Sequence, residues 1–161
     1  MLMLIGCTCF AKPSQPSRFF VAMVLSQTAI YSLKATLYLA DRQDTGPTRV
    51  DEIATALDVP RNYLSKILHV MTRSGLLESM RGPNGGFTLV RSPEGLMLAD
   101  VVAPFHDIAN ESGCLLGRDE CRDDDPCPAH HRWRSASAAL KSFFRETSIA
   151  DLARDDCSPV I

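Results

Sequence analysis

The chain has 161 residues, 45% of them hydrophobic, and 17 Lys and Arg against 19 Asp and Glu give it a net charge of −2. That is ordinary for a soluble globular protein of one domain, or of a small domain with an appended arm, and it gives no global sign of nucleic-acid binding. Six cysteines do not make a disulfide scaffold here, because Cys7 and Cys9 fall in an unpatterned N-terminal stretch and nothing marks the chain as secreted.

Residues 1–22, MLMLIGCTCFAKPSQPSRFFVA, look at first like a processing signal, and Leu4 to Cys7 reads as a lipoprotein cleavage box. No basic region precedes it, and its apolar run is far shorter than a signal needs. Pro and Ser between Pro13 and Ser17 break any helix. We expect a disordered extension with the natural start at Met23, and no stretch of the chain is long enough to span a membrane. The charge is unevenly placed. From Met23 to Arg91 eight basic residues face six acidic ones, and from Ser92 onward seven face thirteen, so the front half is the half that leans toward phosphates.

Ser26 can cap a first helix of about four turns on which Ile30, Leu33, Leu37 and Ala40 recur at helical spacing. Asp44 to Pro47, DTGP, ends it. Thr48-x-x-Asp51 has the pattern of a capping box ahead of a short second helix with Ile53, Ala54 and Leu57 as its stripe. Asp58, Val59 and Pro60 make a turn, and a third helix is predicted from about Pro60 to Arg73, with Leu64, Ile67, Leu68 and Met71 inward. Its outward face carries Arg61, Asn62, Ser65, Lys66 and His69. Two short helices joined by a tight turn, the second with a donor-rich face, describe a helix-turn-helix, although an ordinary helix bundle would show the same pattern.

The next segment decides between them. Leu76 to Met80 and Phe87 to Val90 are short apolar runs around a Pro-Asn-Gly-Gly turn, which predicts a β-hairpin. A hairpin directly after a recognition helix is a wing. Gly82 and Gly85 would let its backbone approach a phosphate or a narrow groove, and Arg81 would stand at its tip. Beyond it, Leu98, Val101, Val102, Phe105 and Ile108 predict a fourth helix bent by Pro104.

Cys114, Cys121 and Cys127 then form a C-x6-C-x5-C array with His130 three residues after the last thiol. Thiolates are soft, charge-donating ligands for iron, zinc and iron–sulfur clusters, and an imidazole can complete the shell. Structural zinc sites usually begin with cysteines two to four residues apart. The wider gaps, in a loop rich in Gly, Asp and Pro, favour an iron–sulfur cluster over zinc or metal-free thiol chemistry. Asp119, Glu120 and Asp123 to Asp125 are expected to crowd the site with negative charge. After the loop, Trp133, Ala136, Leu140, Phe143 and Thr147 recur on a helix starting near Pro128, and Ser148-x-x-Asp151 can cap one last short helix. Cys157 lies in the tail.

The segments SQTAIYSLKATLYLA, VPRNYLSKIL and SGLLESMRGPNGGFTLVRSP, followed by the three-cysteine loop, resemble the Rrf2 family of winged-helix transcription regulators, which includes the IscR and NsrR iron–sulfur sensors. The likeness covers nearly everything from Met23 onward. It implies a mainly α fold with a small β-hairpin wing, a winged helix-turn-helix plus a long C-terminal dimerisation helix. It also implies a cytoplasmic homodimer bound to near-palindromic double-stranded DNA. By the same resemblance Cys114, Cys121 and Cys127 match the cluster-binding cysteines, and His130 matches the fourth ligand of IscR-like members, with His131 its nearest competitor. NsrR-like members take an acidic ligand from the partner's first helix. The corresponding position here is Ile30, which cannot coordinate iron, so the resemblance points to His130 and to a 2Fe-2S rather than a 4Fe-4S cluster.

The predicted organisation is therefore an extension over 1–22, a winged helix-turn-helix over 23–95, a connecting helix over 96–112, a cluster-binding loop over 113–130, and a dimerisation helix with a C-terminal tail over 131–161. DNA contacts are expected from Arg61, Asn62, Tyr63, Ser65, Lys66, Arg81, Gly82 and Gly85. Other readings are the same regulator switched by thiol oxidation or zinc, and an iron–sulfur carrier that does not bind DNA. No acid–base pair or phosphate-binding loop speaks for an enzyme.

Overall fold

The computed structural model describes residues 25–82, 85–106, 108, 114–118 and 122–154. Expectations that concern the N-terminal extension, Pro83 and Asn84, Asp119, Glu120, Cys121 and Cys157 lie outside those residues. The elements are α1 (Gln27–Ala40), α2 (Val50–Leu57), α3 (Arg61–Arg73), β1 (Leu77–Met80), β2 (Gly86–Leu89), α4 (Leu98–Val102), α5 (His130–Glu146) and α6 (Ile149–Arg154), with single 3-10 turns at Gln43–Thr45 and Pro93–Gly95.

Ser26 caps α1 as expected, its hydroxyl accepting the Ala29 amide at 3.2 Å. The buried face of α1 is not the predicted stripe. Ala29, Ser32, Ala35, Thr36, Tyr38 and Leu39 are buried, while Ile30, Leu33, Leu37 and Ala40 sit half-buried at its margins. Small side chains let neighbouring helices approach closely, and the Ser32 and Thr36 hydroxyls are satisfied by the Ala29 and Ser32 carbonyls, both at 2.8 Å.

The capping box expected at α2 does not form. Arg49 occupies the cap position without a side-chain bond. Thr48 is instead drawn into the wing, where its amide donates to the Phe87 carbonyl at 3.1 Å and its carbonyl accepts the Phe87 amide at 2.9 Å. Two backbone hydrogen bonds in a buried bridge outweigh one exposed cap. Asp58, in the left-handed region at φ 51°, ends α2 and turns the chain into α3. Leu64, Ile67, Leu68 and Met71 of α3 are all buried, as predicted, and face a core completed by Ile53, Leu77 and Val101.

β1 and β2 pair antiparallel with Leu77 opposite Leu89 and Met80 opposite Gly86. The fourth helix is shorter than predicted. It is five residues long and ends at Val102 instead of bending at Pro104, because proline has no amide to donate and disfavours helical backbone in the residue before it. The chain turns back there, with the Phe105 and His106 amides both on the Val102 carbonyl.

α5 begins at His130, two residues later than expected. Its far end returns to the domain: the Leu98 amide donates to the Thr147 carbonyl at 3.0 Å and the Ile149 amide to the Leu96 carbonyl at 2.9 Å. The predicted Ser148–Asp151 capping box is present, with the Ser148 amide on Asp151 at 2.9 Å and the Asp151 amide on Ser148 Oγ at 3.1 Å. α6 then packs on α1, so the last described helix is fastened to the first. Among the described residues no helix is long and apolar enough to cross a membrane.

Candidate nucleic-acid interface and cysteine site

α3 presents Arg61, Asn62, Lys66 and His69 to solvent, with Ser65 half-buried beside them. Two of the predicted DNA contacts already have partners within the fold. Arg61 forms an exposed ion pair with the Asp51 carboxylate across the helix-turn-helix. The Tyr63 hydroxyl lies 2.7 Å from Thr28 Oγ1, and its ring meets Tyr31 edge-on at 5.9 Å. Tyr63 thus anchors α3 to α1. His69, which faces outward on α3, lies edge-on to Phe87 at 6.1 Å and joins the recognition helix to the wing.

Arg81 and Gly82 are exposed on the wing. Gly82 has φ 113°, where a side chain would be strained, and its carbonyl accepts the Gly85 amide at 3.0 Å. A Cβ on Gly85 would stand 2.3 Å from the Met80 carbonyl oxygen. The hairpin's own turn therefore requires both glycines.

At the cysteine loop, Cys114 and Cys127 are buried with their Sγ atoms 3.5 Å apart. Gly117, at φ 78°, turns the chain so that its amide meets the Cys114 carbonyl at 2.9 Å. Backbone hydrogen bonds at Leu116 and then Arg118 hold the Cys114 thiol below its ordinary pKa, which favours the thiolate. The His130 amide donates to the Cys127 carbonyl at 2.9 Å as α5 starts. His130 is only 1% exposed, whereas its competitor His131 is on the surface. Its Nε2 lies 2.9 Å from Asp123 Oδ1, an oxygen that Arg134 also reaches. These bonds, His130 first, hold the Asp123 carboxyl below its usual range.

The loop acids are not the unbalanced negative crowd expected. Asp123 pairs with Arg134, Asp124 with Arg122, and Asp125 with Arg118 at 2.9 Å. The balancing arginines are interleaved with the acids or stand one turn into α5, where a count of acidic residues alone does not register them. Among the described residues no three Cys, His, Asp or Glu converge as a metal shell. Cys121, the third thiol of the array, is outside that set. The donors in view, two buried sulfurs with one already favoured as thiolate and a buried imidazole one helical turn beyond, fit a soft-metal or iron–sulfur group.

On α5, Phe144 is buried against the domain while Phe143 is 49% exposed. Trp133, Leu140 and Thr147 of the predicted stripe are half-buried and Ala136 is exposed.

A helix-turn-helix followed by a glycine-turned wing, with a buried thiol pair at the foot of a long helix, defines a winged-helix regulator of transcription with a cysteine loop. The profile of the Rrf2 family, described as an iron-dependent transcriptional regulator, matches residues 25–155. The chain belongs to that family. An Aquifex aeolicus protein assigned to the HTH-type transcriptional regulators is 36% identical over 81% of this chain and 91% of its own length. The regulator IscR of Xenorhabdus nematophila is 27% identical over 83% of this chain and 80% of its own. Among solved structures, CymR, the global cysteine regulator of B. subtilis, superposes with a TM-score of 0.70 at 25% identity, covering 80% of this chain and 95% of that one. T. potens IscR superposes with a TM-score of 0.66 at 23% identity over 83% and 90%.

Proposed function

We propose that this regulator binds near-palindromic operators as a homodimer and senses iron–sulfur status, redox state or nitric oxide through a cluster, 2Fe-2S in preference to 4Fe-4S, held by Cys114, Cys121, Cys127 and His130. The carrying observation is the buried Cys114–Cys127 pair, 3.5 Å apart, immediately before the helix that begins with buried His130. The likeness to IscR proteins adds support. α3, with Arg61, Asn62, Ser65 and Lys66, would lie in the major groove, and the wing at Arg81, Gly82 and Gly85 would lie on the flanking backbone or minor groove. The exposed Phe143 side of α5 would meet its counterpart in the second subunit.

A bound cluster would supply a centre sensitive to iron supply, oxidants and nitric oxide. The chain's own part is mechanical. Shared ligation would tie the loop at Cys114 to the foot of α5 at Cys127 and His130. Release of those ligands would let the loop and α5 move separately, changing the spacing of the two recognition helices. The test is an anaerobic absorbance spectrum with iron and acid-labile sulfide assays on the protein from Met23 onward. Visible bands with matching iron and sulfide, lost in Cys121→Ala, are expected. A colourless, iron-free protein that still binds DNA would overturn the cluster.

That second outcome has its own structural support. Two sulfurs at 3.5 Å need only a small approach to bond, so a peroxide could take two electrons from Cys114 and Cys127, leaving a disulfide and two waters.

A further inference from the structure

Asp123 stands out from the other loop acids because its partner is buried. Asp124 and Asp125 meet exposed arginines, but Asp123, itself exposed, reaches inward to the ring of a histidine that is almost wholly enclosed. Arg134, one turn along α5 from His130, holds the same oxygen and keeps the carboxylate in place. An ionised carboxylate can only accept, so the 2.9 Å bond requires Nε2 of His130 to carry the proton. The neutral ring then has its lone pair on Nδ1. Metal-bound histidines commonly donate their other ring N–H to a carboxylate in this way, which fixes both tautomer and ring angle.

We infer that Asp123 is a positioning residue for metal binding: by accepting the Nε2 proton of His130 it prepares Nδ1 as the ligating nitrogen. This rests on the cluster reading above. It adds that the ligand is set before metal arrives, because the bond is made by the chain alone, and that Asp123 and Arg134 fasten the middle of the cysteine array to the first turn of α5. Asp124 and Asp125, paired away from the histidine, have no such part.

The test uses the full chain labelled with ¹⁵N-histidine, with His130→Ala to assign the resonances. In cluster-free anaerobic protein, long-range ¹H–¹⁵N correlations should report the Nε2–H tautomer at His130 in the wild type and in Asp123→Asn, whose amide oxygen still accepts. Asp123→Ala should show a mixture or the Nδ1–H form, with circular dichroism unchanged. After reconstitution with iron and sulfide, Asp123→Ala should lose its visible absorbance to a chelator about 10-fold faster than wild type, while Asp124→Ala should not. An Nδ1–H wild type, or an Asp123→Ala protein with unchanged tautomer and chelation rate, would overturn the assignment. A wild type with the Nε2–H tautomer that takes up no iron would instead bring down the cluster reading, and the ligand role of Nδ1 with it.

Discussion

Thr48 and Phe87 exchange both of their backbone hydrogen bonds, at 3.1 and 2.9 Å, so that the residue leading into α2 forms a third edge of the wing. The helix-turn-helix and the hairpin are thereby one unit. Gly86 sits against this junction, where a Cβ would stand 2.5 Å from the Thr48 carbonyl oxygen. Backbone on both sides cannot give way as a flexible side chain would. Gly86→Ala should therefore cost about 1–3 kcal/mol in urea unfolding and weaken operator binding without loss of helix content. Wild-type stability in that variant would mean that the bridge is dispensable.

Arg81 is exposed on the wing and has no ion-pair partner among the described residues. As a phosphate or minor-groove contact, its replacement by alanine should weaken binding across all sequences and lower the slope of log K against log salt by about 1. Arg61→Ala should behave differently. If the Arg61 guanidinium reads a base edge from α3, its removal should cost about 1–3 kcal/mol at one operator position and relax preference there. Titrations of both variants at several salt concentrations separate the two roles, and an unchanged slope in Arg81→Ala would remove the wing from the interface.

The Ser148–Asp151 capping box fixes α6, and through it the return of α5 to the domain. Ser148→Ala should lower stability by about 1 kcal/mol. The Asp151 carboxyl is held below its ordinary value of 3.8, first by the Ser148 hydroxyl. Since the folded pKa is the depressed one, this contribution is fully present above the ordinary value and is lost as pH falls through the folded value. Asp151→Asn should therefore lose part of the acid-side decline in thermal stability; an identical decline in both proteins would show that the box carries no pH dependence.

Phe143 is 49% exposed on a helix whose neighbouring Phe144 is buried. If α5 makes the subunit contact, Phe143→Arg should give a monomer by sedimentation velocity while retaining the wild-type circular dichroism spectrum. A persistent dimer would place the contact elsewhere. Operator affinity should fall in the monomer, because two linked reading heads bind with an avidity that one lacks.

Much of this architecture is determined by short-range sequence. The Ser26 cap, the Ser148–Asp151 box, the inward residues of α3 and the hairpin around Gly82 and Gly85 each depend on neighbours within about one turn, so spacing alone specifies them. The cysteine array and His130 are legible for the same reason, being a single continuous loop. Tertiary structure decided the rest. Thr48 left its predicted capping role because a strand remote in sequence offered two backbone hydrogen bonds, and α1 buried Ala29, Ser32 and Ala35 because close helix packing selects for size as well as hydrophobicity. The pairs Thr28–Tyr63, His69–Phe87 and Asp123–His130 leave no periodic trace, since each depends on where two separate segments come to rest. A polar residue in sequence shows only what it could bond; the fold decides which partner is within 3 Å, and so whether an acid such as Asp123 is surface charge or the support of a buried imidazole.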